Sequence, residues 1–321
     1  MQTGPEAGWY RGDCHVHSLH SSGGELTPKQ VADAARAVGL DFIVGVEHNT
    51  VSSHELWRPL DGSGLLVALG QEVVTDEGHW VAVGLTPGQL IAWDYAAGGE
   101  SLQRQLDVVH GVGGLCVAAH PFAPYPTGTF EYAYQGFDTI EVWNGPWTSD
   151  LPWQADNEAA LAEWARALAA DVPAGRWRPA IGNSDTHLEG QIGLPHTIVA
   201  ASRFSADALF AGIRAGRSWI AESAVVHLSF HASASERTAG IGERLTADGE
   251  PATARVQVRG VPLGVVTFHN QNGTAHSFSL PATGSGDAQW PTSAAESAFV
   301  RIEVRHRGGR MAALTNPIIL V

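Results

Sequence analysis

Cysteine and long apolar runs are both scarce in this chain. Of 321 residues only 2 are cysteine, Cys14 and Cys116, and both lie in apolar runs beside histidines. A buried thiol there acts as a small hydrophobe, and a chain of this length needs no disulfide to hold its core. No apolar run reaches membrane-spanning length, and the first residues have neither a basic n-region nor an apolar h-region. We therefore expect a cytoplasmic protein without a membrane partner, and leave open the export of a longer precursor.

Basic residues are the second shortage. Lys and Arg total 19 against 33 Asp and Glu, a formal net charge of -14. Nucleic-acid binding relies on Lys and Arg releasing phosphate counterions, so we expect no nucleic-acid partner. A small-molecule substrate, even an anionic one, stays compatible because bound metal ions can supply positive charge. The G-x-S-x-G elbow and the glycine-rich phosphate loop are also missing, which disfavours serine-hydrolase and P-loop chemistry. The oligomeric state is left open.

Short apolar runs alternate with helical patterns over the first two thirds of the chain. The clearest helix begins after Thr27, with Pro28 at its first position and Gln30 completing a capping box. Such alternation predicts an α/β domain built on a mostly parallel sheet or barrel. Strands are expected at residues 11–17, 41–48, 65–74, 79–85, 115–120, 139–143 and 179–183, and further helices at 155–170 and 206–215.

The pattern changes after about Ser223. Short strand-like runs follow, separated by polar turns and without a convincing helix. This pattern predicts a small all-β, sandwich-like domain. We therefore expect an α/β barrel domain at residues 1–223 and a sandwich-like domain at 224–321, with 282–293 as a surface loop. The expected C-terminal strands are 225–230, 254–258, 264–269, 299–305 and 317–321.

Histidines and carboxylates cluster at the expected strand ends. The carboxyl ends of strands in α/β folds meet at one edge, where sites assemble from distant parts of the chain. His15 and His17 also alternate with period two, which puts both imidazoles on the same side of an extended segment. The five clusters are His15-Val16-His17, Glu47-His48-Asn49, Glu72 with His79, His120-Pro121 and Asp185-Thr186-His187.

The residue types define the kind of site. Imidazole plus carboxylate, without a thiolate pair, is typical of a catalytic Zn, Mn or Fe site and not of a structural zinc. Glu72 has two carboxylate oxygens and can bridge two ions. A lone histidine is more often a hydrogen-bonded core or surface residue, which is our interpretation of His54, His110 and His269. Five clusters in one domain outweigh that alternative, and we predict a metal site.

The order of these motifs resembles the PHP (polymerase and histidinol phosphatase) superfamily of metal-dependent hydrolases over roughly residues 11–221. The segments GDCHVHS, GLDFIVGVEHNT, GQEVVTDEGHW, IEVWNG and MAALTNPI are similar to its carbaryl-hydrolase-like branch. The resemblance implies a distorted seven-stranded (β/α) barrel followed by a β-sandwich.

The same resemblance implies two or three divalent metal ions. It usually places a carboxylate where Ser22 stands in this chain, which leaves the third ion open. The residues of that third site are alternatively substrate contacts or proton donors. The implied ligands are His15, His17, Glu72 and Asp185 for the first ion, Glu72, His79 and His120 for the second, and His48 and His187 for the third.

Several other polar residues are weaker candidates. His20, beside the His-x-His motif, is a candidate proton donor, and Arg217 is a candidate for gripping an anionic substrate group, with a surface salt bridge as its alternative. Glu141 and Asn144 either support a ligand, contact the substrate or have a plain loop role. Trp80 and Trp143 either line an apolar pocket or belong to the core.

The predicted reaction is hydrolysis. A metal-activated water attacks a phosphorus or a carbonyl carbon, and His20, His48 or His187 protonates the leaving group. The superfamily implies a small phosphoester, whereas the closer branch implies a carboxyl ester or a carbamate. Two non-enzymatic alternatives are a metal-dependent carbohydrate- or polymer-binding module and a degenerate barrel.

Overall fold

The computed structural model describes residues 7–93 and 99–321. Within these ranges the chain forms a 15-stranded mixed sheet, a second sheet of 4 strands, and helices that cover the first part of the large sheet. The elements up to residue 221 are β1 (Gly8–Val16), α1 (Pro28–Ala37), β2 (Phe42–Gly45), α2 (His54–Trp57), β3 (Leu66–Thr75), β4 (Gly78–Val83), α3 (Gly99–Gly111), β5 (Leu115–Ala118), β6 (Thr139–Asn144), α4 (Asn157–Asp171), β7 (Ala180–Asn183), β8 (His196–Ala201), α5 (Ala206–Arg214) and β9 (Ser218–Ala221).

The remaining residues form strands only, since no residue between 224 and 321 lies in a helix. These strands are β10 (His227–Ala234), β11 (Arg237–Gly240), β12 (Arg244–Leu245), β13 (Ala252–Arg259), β14 (Val265–Asn270), β15 (Gly273–Ser279), β16 (Gly286–Thr292), β17 (Phe299–Arg305), β18 (Met311–Thr315) and β19 (Ile318–Leu320). The described helices include none long and apolar enough to cross a membrane.

The seven strands expected before residue 190 are confirmed as β1–β7. The capping box of α1 is confirmed as well: Thr27 accepts a hydrogen bond from the Gln30 backbone N–H, and the Gln30 side chain accepts one from the Thr27 N–H. This reciprocal pairing satisfies two of the donors that a helix N-terminus leaves free. Local sequence chemistry therefore explains where α1 begins.

The pairing of β1–β7 is parallel except at β4. Strands β1, β2 and β3 pair in parallel, as do β5, β6 and β7, whereas β4 is antiparallel to both of its neighbours. The cause is the short connection at residues 76–77 between β3 and β4, because a link of this length can only form a hairpin. His79 near the start of β4 therefore lies at the same edge as the ends of its parallel neighbours.

This part of the sheet curls until β7 approaches β1. The Cys14 N–H donates to Asn183 Oδ1 at 2.8 Å, and the Gly182 N–H donates to Thr197 Oγ1 at 2.9 Å. Val16 and Thr186 form an isolated parallel bridge. The curl is closed by side chains and this single bridge, so the seven-stranded barrel implied by the sequence remains a prediction.

The C-terminal strands continue the same sheet. Strand β18 pairs with β9, with Ala313 opposite Ala221, and β17, β19 and β12 extend the order. The small sheet β11-β10-β13-β16 shares an apolar core with them that includes Phe230, Val256 and Ile302. Strands from both sheets therefore enclose one apolar core. The sandwich-like domain and its boundary at 223/224 remain predictions, because backbone pairing crosses that boundary.

One loop expectation is wrong. Residues 286–292 form β16, which pairs antiparallel with β13, where the sequence pattern had indicated a surface loop. Ala288 and Trp290 pack towards the core, while Asp287, Gln289 and Pro291 face solvent. Pro291 is tolerated because β16 is the edge of its sheet and its outer side needs no N–H donor.

Candidate metal centre

All eight predicted metal ligands meet at one end of the curled sheet. Six of them line an open cavity of about 430 Å³, and His15 and His17 lie fully buried beneath it. The six lining residues are His48, Glu72, His79, His120, Asp185 and His187. Strand ends far apart in sequence thus converge, as the sheet topology requires.

Glu72 lies at the centre of this group. Its Oε1 is 3.0 Å from His79 Nδ1 and 3.0 Å from His120 Nε2. Its Oε2 is 3.0 Å from His48 Nε2 and 3.3 Å from His17 Nε2. The two oxygens therefore face two different sets of imidazoles, which is the arrangement that a carboxylate bridging two ions requires.

His15 and His17 direct unpaired nitrogens at the carboxylates. His15 Nε2 and His17 Nε2 are buried without a hydrogen-bond partner, as is Asp185 Oδ1, from which they lie 3.4 and 3.2 Å. In a tetrahedral site each ligand atom lies about 2.1 Å from the ion, and two such ligand atoms are then roughly 3.4 Å from each other. The spacing therefore fits a divalent ion between these atoms, and a buried unpaired polar atom is costly without one.

Glu141 positions His15. Its Oε1 is 3.2 Å from His15 Nδ1 and accepts from Asn183 Nδ2 at 2.8 Å, and its Oε2 accepts from the His120 N–H at 2.9 Å and from Asn144 Nδ2. An ionised carboxylate only accepts, so His15 Nδ1 carries a proton, and Nε2 is the nitrogen left to face the site. Of the roles considered for Glu141, its position behind the predicted ligand His15 fits support of a ligand.

The backbone of Asp185 is strained and is held from below. Its φ of 51° lies in the left-handed region, which costs free energy for a residue with a side chain. The buried Asp13 carboxylate accepts from the Ser184 N–H at 3.2 Å and from the Gly193 N–H at 3.1 Å. Burial raises the pKa of Asp13 to about 6 despite these hydrogen bonds. Asp13 therefore anchors the loop that carries Asp185.

The electrostatics of the cluster favour a cation. Burial alone would lower the pKa of His17, but the Asp185 and Glu72 carboxylates raise it to about 9. Burial alone would likewise raise the pKa of Glu72, but His15 and His48 hold it well below its usual range. The carboxylates thus stay ionised and stabilise positive charge, whether this is a proton on an imidazole or a bound metal.

A third set consists of histidines alone. One ring nitrogen each of His17, His48 and His187 lies within 4.8 Å of the others. His187 Nδ1 donates to the Asp185 carbonyl at 2.9 Å, so its Nε2 keeps a free lone pair. Ser22 is exposed and adds no carboxylate to this set, whereas its neighbour Gly23 lines the cavity.

Two predicted residues do not join the site. His20 does not line the cavity, and its backbone N–H donates to Ser18 Oγ at 3.4 Å. Arg217 precedes β9. Ser218 of β9 pairs with Val199 of β8, which in turn pairs with Tyr10 near the start of β1. Arg217 therefore lies at the opposite end of the sheet from the predicted ligands. The antiparallel direction of β9, which the sequence did not indicate, explains this placement.

The histidines interpreted as ordinary residues are accounted for by local contacts. His54 is buried and hydrogen-bonds the Gly70 carbonyl at 3.0 Å, and His269 contacts Thr267 Oγ1. His110 forms a separate cluster with Cys116 and Asp138, but Asp138 also pairs with Arg214 at 2.9 Å. That cation already neutralises the carboxylate.

Sequence reasoning missed several residues that shape the cavity. Trp80 and Trp143 belong to the core, and a different tryptophan, Trp153, lines the mouth with Leu151 and Leu188. These three side chains are 59%, 46% and 41% exposed. Asp13 could have been found from the sequence, since it continues the period-two spacing of His15 and His17. Trp153 lies in an irregular segment, where no sequence pattern indicates its position.

Comparisons with known proteins agree with this architecture. A family model described as PHP-associated matches residues 164–218, which include Asp185 and His187. An uncharacterized protein of Methanocaldococcus jannaschii is 23% identical over 146 residues, covering 42% of this chain and 81% of that protein. A solved two-domain protein from Bacteroides vulgatus, which contains a predicted PHP-like metal-dependent phosphoesterase, matches with a TM-score of 0.54 at 16% identity over 98% of both chains.

PsfC from Pseudomonas syringae matches with a TM-score of 0.48 at 22% identity, over 67% of this chain and 92% of that one. The likeness to the Bacteroides protein extends over nearly the whole length of both chains, so the two share an overall fold. The carbaryl-hydrolase-like branch is a finer assignment that these comparisons leave as a proposal.

Proposed function

We propose that this chain is a metal-dependent hydrolase that cleaves a small phosphoester with a metal-activated water. The observation that carries the proposal is the position of Glu72, whose two oxygens face separate sets of imidazoles at the floor of an open cavity. A cluster with a purely structural role would not require six histidines around two ionised carboxylates at the floor of a cavity open to solvent.

The donor set fits two or three ions of Zn, Mn or Fe. Orphaned nitrogens on His15 and His17, together with the free Asp185 Oδ1, support the first ion. His79 and His120 on the other side of Glu72 support the second, and each has a further buried ring nitrogen without a partner. The proposed ligands are His15, His17, Glu72 and Asp185, then Glu72, His79 and His120, and for a third ion His48 and His187.

Divalent ions bound there would lower the pKa of a coordinated water and stabilise negative charge on the attacked group. The side chains of His48 and His187 are 25% and 22% exposed at the cavity floor. If the third ion is not bound, they can hold a proton for the oxygen of the leaving group. Glu141, Asn144 and Asp13 keep the ligands in place from below.

The cavity size and the fold support a small phosphoester. About 430 Å³ suits a small molecule. The Bacteroides protein is described as containing a predicted phosphoesterase, which supports the same reaction here by analogy of fold. No Lys or Arg is among the described residues that line the cavity, so the ions themselves would balance the charge of the phosphate.

The mouth of the cavity favours a second candidate, a carboxyl ester or a carbamate. Leu151, Trp153 and Leu188 present apolar surface to solvent at the entrance. A neutral ester or carbamate with an apolar group would cover that surface, and it would need no cationic side chain in the wall. The sequence resemblance to the carbaryl-hydrolase-like branch supports the same candidate.

One assay separates these candidates. Protein loaded with Zn or Mn is incubated with p-nitrophenyl phosphate, bis-p-nitrophenyl phosphate and 1-naphthyl N-methylcarbamate, and each reaction is repeated in excess chelator. The proposal expects chelator-sensitive turnover of a phosphate ester above that of the carbamate. The reverse order would establish the second candidate. Tight metal binding without turnover of any probe would leave a metal-dependent carbohydrate- or polymer-binding module instead.

A further inference from the structure

We infer that Glu47, acting through the Ser21 hydroxyl, is a positioning residue that fixes the proton of His17 on Nδ1 and so reserves Nε2 for a metal ion. The inference rests on the proposed metal-dependent function and concerns residues that the ligand set does not include. Neither Glu47 nor Ser21 lines the cavity. Their effect on the site is therefore transmitted through His17 and His48.

Glu47 is a buried carboxylate surrounded by donors. It follows β2, and its oxygens accept from the Ser18 N–H at 3.2 Å, the Ser18 hydroxyl, the Ser21 hydroxyl at 2.6 Å and Trp57 Nε1 at 3.1 Å. Only a group without a proton of its own satisfies all four donors, so Glu47 is ionised.

The Ser21 hydroxyl has three partners, and their chemistry determines its direction. A hydroxyl offers one hydrogen and two lone pairs. The hydrogen goes to Glu47, which can only accept. The backbone N–H of His48 donates to Ser21 Oγ at 3.0 Å and takes one lone pair. The contact of 2.9 Å to His17 Nδ1 must then be a hydrogen bond donated by the imidazole.

The consequence is that Nδ1 keeps its proton, and Nε2 is the nitrogen of His17 left to exchange a proton for a bound ion. That nitrogen lies 3.2 Å from Asp185 Oδ1 and 3.3 Å from Glu72 Oε2. His15 has the equivalent arrangement with Glu141 in direct contact, so both members of the His-x-His pair have a carboxylate behind them. For His17 that carboxylate acts across a serine, and the same serine ties down the backbone of His48.

The test compares Ser21→Ala and Glu47→Gln with Ser297→Ala in the full-length protein. Ser297 is a fully buried serine that hydrogen-bonds Thr292 and Asn270 far from the site, so it controls for the loss of a buried hydroxyl. Glu47→Gln places an N–H donor group opposite four other donors. The Ser21 hydroxyl is then free to rotate and donate its hydrogen to His17 Nδ1 instead of to residue 47. Zinc affinity is measured by competition with a chromophoric chelator, and the His17 Nδ1 proton is observed by ¹H–¹⁵N NMR of the zinc-loaded protein.

Both site variants should bind zinc about 10–100-fold more weakly, as is typical when the partner behind a ligand is lost. The hydrogen-bonded Nδ1 proton of His17 should be downfield and slow to exchange in the wild type and should lose both properties in Ser21→Ala. Ser21→Thr keeps a hydroxyl and should restore them, which covers the case in which Glu47→Gln does not fold. Ser297→Ala should match the wild type in zinc affinity.

Unchanged zinc affinity in both site variants, or a His17 resonance that does not respond to Ser21, would overturn the inference. The readouts involve no substrate and are therefore independent of the hydrolase proposal. Zinc affinity that depends on Glu47, without turnover of any ester, would keep this inference and remove the proposed reaction.

Discussion

Glu72 is the residue on which both proposed ions depend. Its contacts of 3.0–3.3 Å with four imidazoles require a carboxylate, because an amide would present N–H groups to some of the same nitrogens. Glu72→Gln keeps the shape and removes the charge. We expect turnover to fall roughly 100–1000-fold, the cost typical of losing one preorganised electrostatic element.

The measurement is kcat on the best ester substrate, with bound metal counted in the same preparation. Glu236→Gln provides the control, since Glu236 is exposed in a turn of the C-terminal strands. Near-normal kcat in Glu72→Gln would mean that the reaction takes place elsewhere.

At the residue scale, the residues that meet at the site were easier to predict than the residues that support them. His15, His17 and Asp185 stand at strand ends, and the ends of neighbouring strands must meet, so residue type and position were enough. Ser21 and Glu47 are instead defined by the direction of hydrogen bonds between loops. Nothing in residue type or spacing distinguishes such a serine from a surface serine.

At the scale of elements, β18 is a strand that long-range pairing creates and that the sequence pattern did not predict. β18 has the sequence Met311-Ala312-Ala313-Leu314-Thr315, which has no apolar alternation and suits a helix as well as a strand. It becomes a fully buried strand because β9 pairs on one side and β17 on the other. Pairing over such sequence distances overrides local propensity.

Strand β14 carries a titratable group with a consequence for stability. His269 is mostly buried, and burial, together with Arg301, lowers its pKa from 6.5 to about 4. Between these values the unfolded chain binds a proton that the folded protein does not bind. Folding stability should therefore rise with pH across this window and lose that contribution as the pH falls from 6.5 to 4.

We expect His269→Gln to flatten the pH dependence of the urea midpoint across that window. His276→Gln on the exposed strand β15 serves as the matched histidine control and should keep the wild-type slope. An identical slope in His269→Gln and the wild type would show that the ring is protonated in the folded protein.

At the scale of the whole molecule, the C-terminal strands hold the curl of the site-bearing sheet together. Phe299, Met311, Leu314 and Ile319 belong to the same apolar core as Trp143 and Ile220. A change of pattern near Ser223 correctly separates the mixed region from the all-β region, but it cannot show that one sheet crosses the change. That continuity depends on β9 and β18, which lie about ninety residues apart and meet only in the folded chain.

Asn316 makes the clearest contact across the two regions. Its Oδ1 accepts from the Ala180 N–H at 2.8 Å, and its Nδ2 donates to the Ala180 carbonyl at 2.9 Å and to the Ser218 carbonyl at 3.0 Å. Ala180 begins β7, the edge strand of the curled sheet. The side-chain amide therefore pairs with β7 as a neighbouring strand would, and joins it to β9.

We expect Asn316→Ala to destabilise the protein by about 1–3 kcal/mol, because the N–H and C=O of Ala180 would stay buried without partners. The free energy of unfolding is measured by urea titration of the metal-free protein, so that weaker metal binding does not contribute. Asn272→Ala, in an exposed turn between β14 and β15, is the matched control and should change the midpoint little. Equal stability of the two variants would mean that the amide bridge to β7 is dispensable.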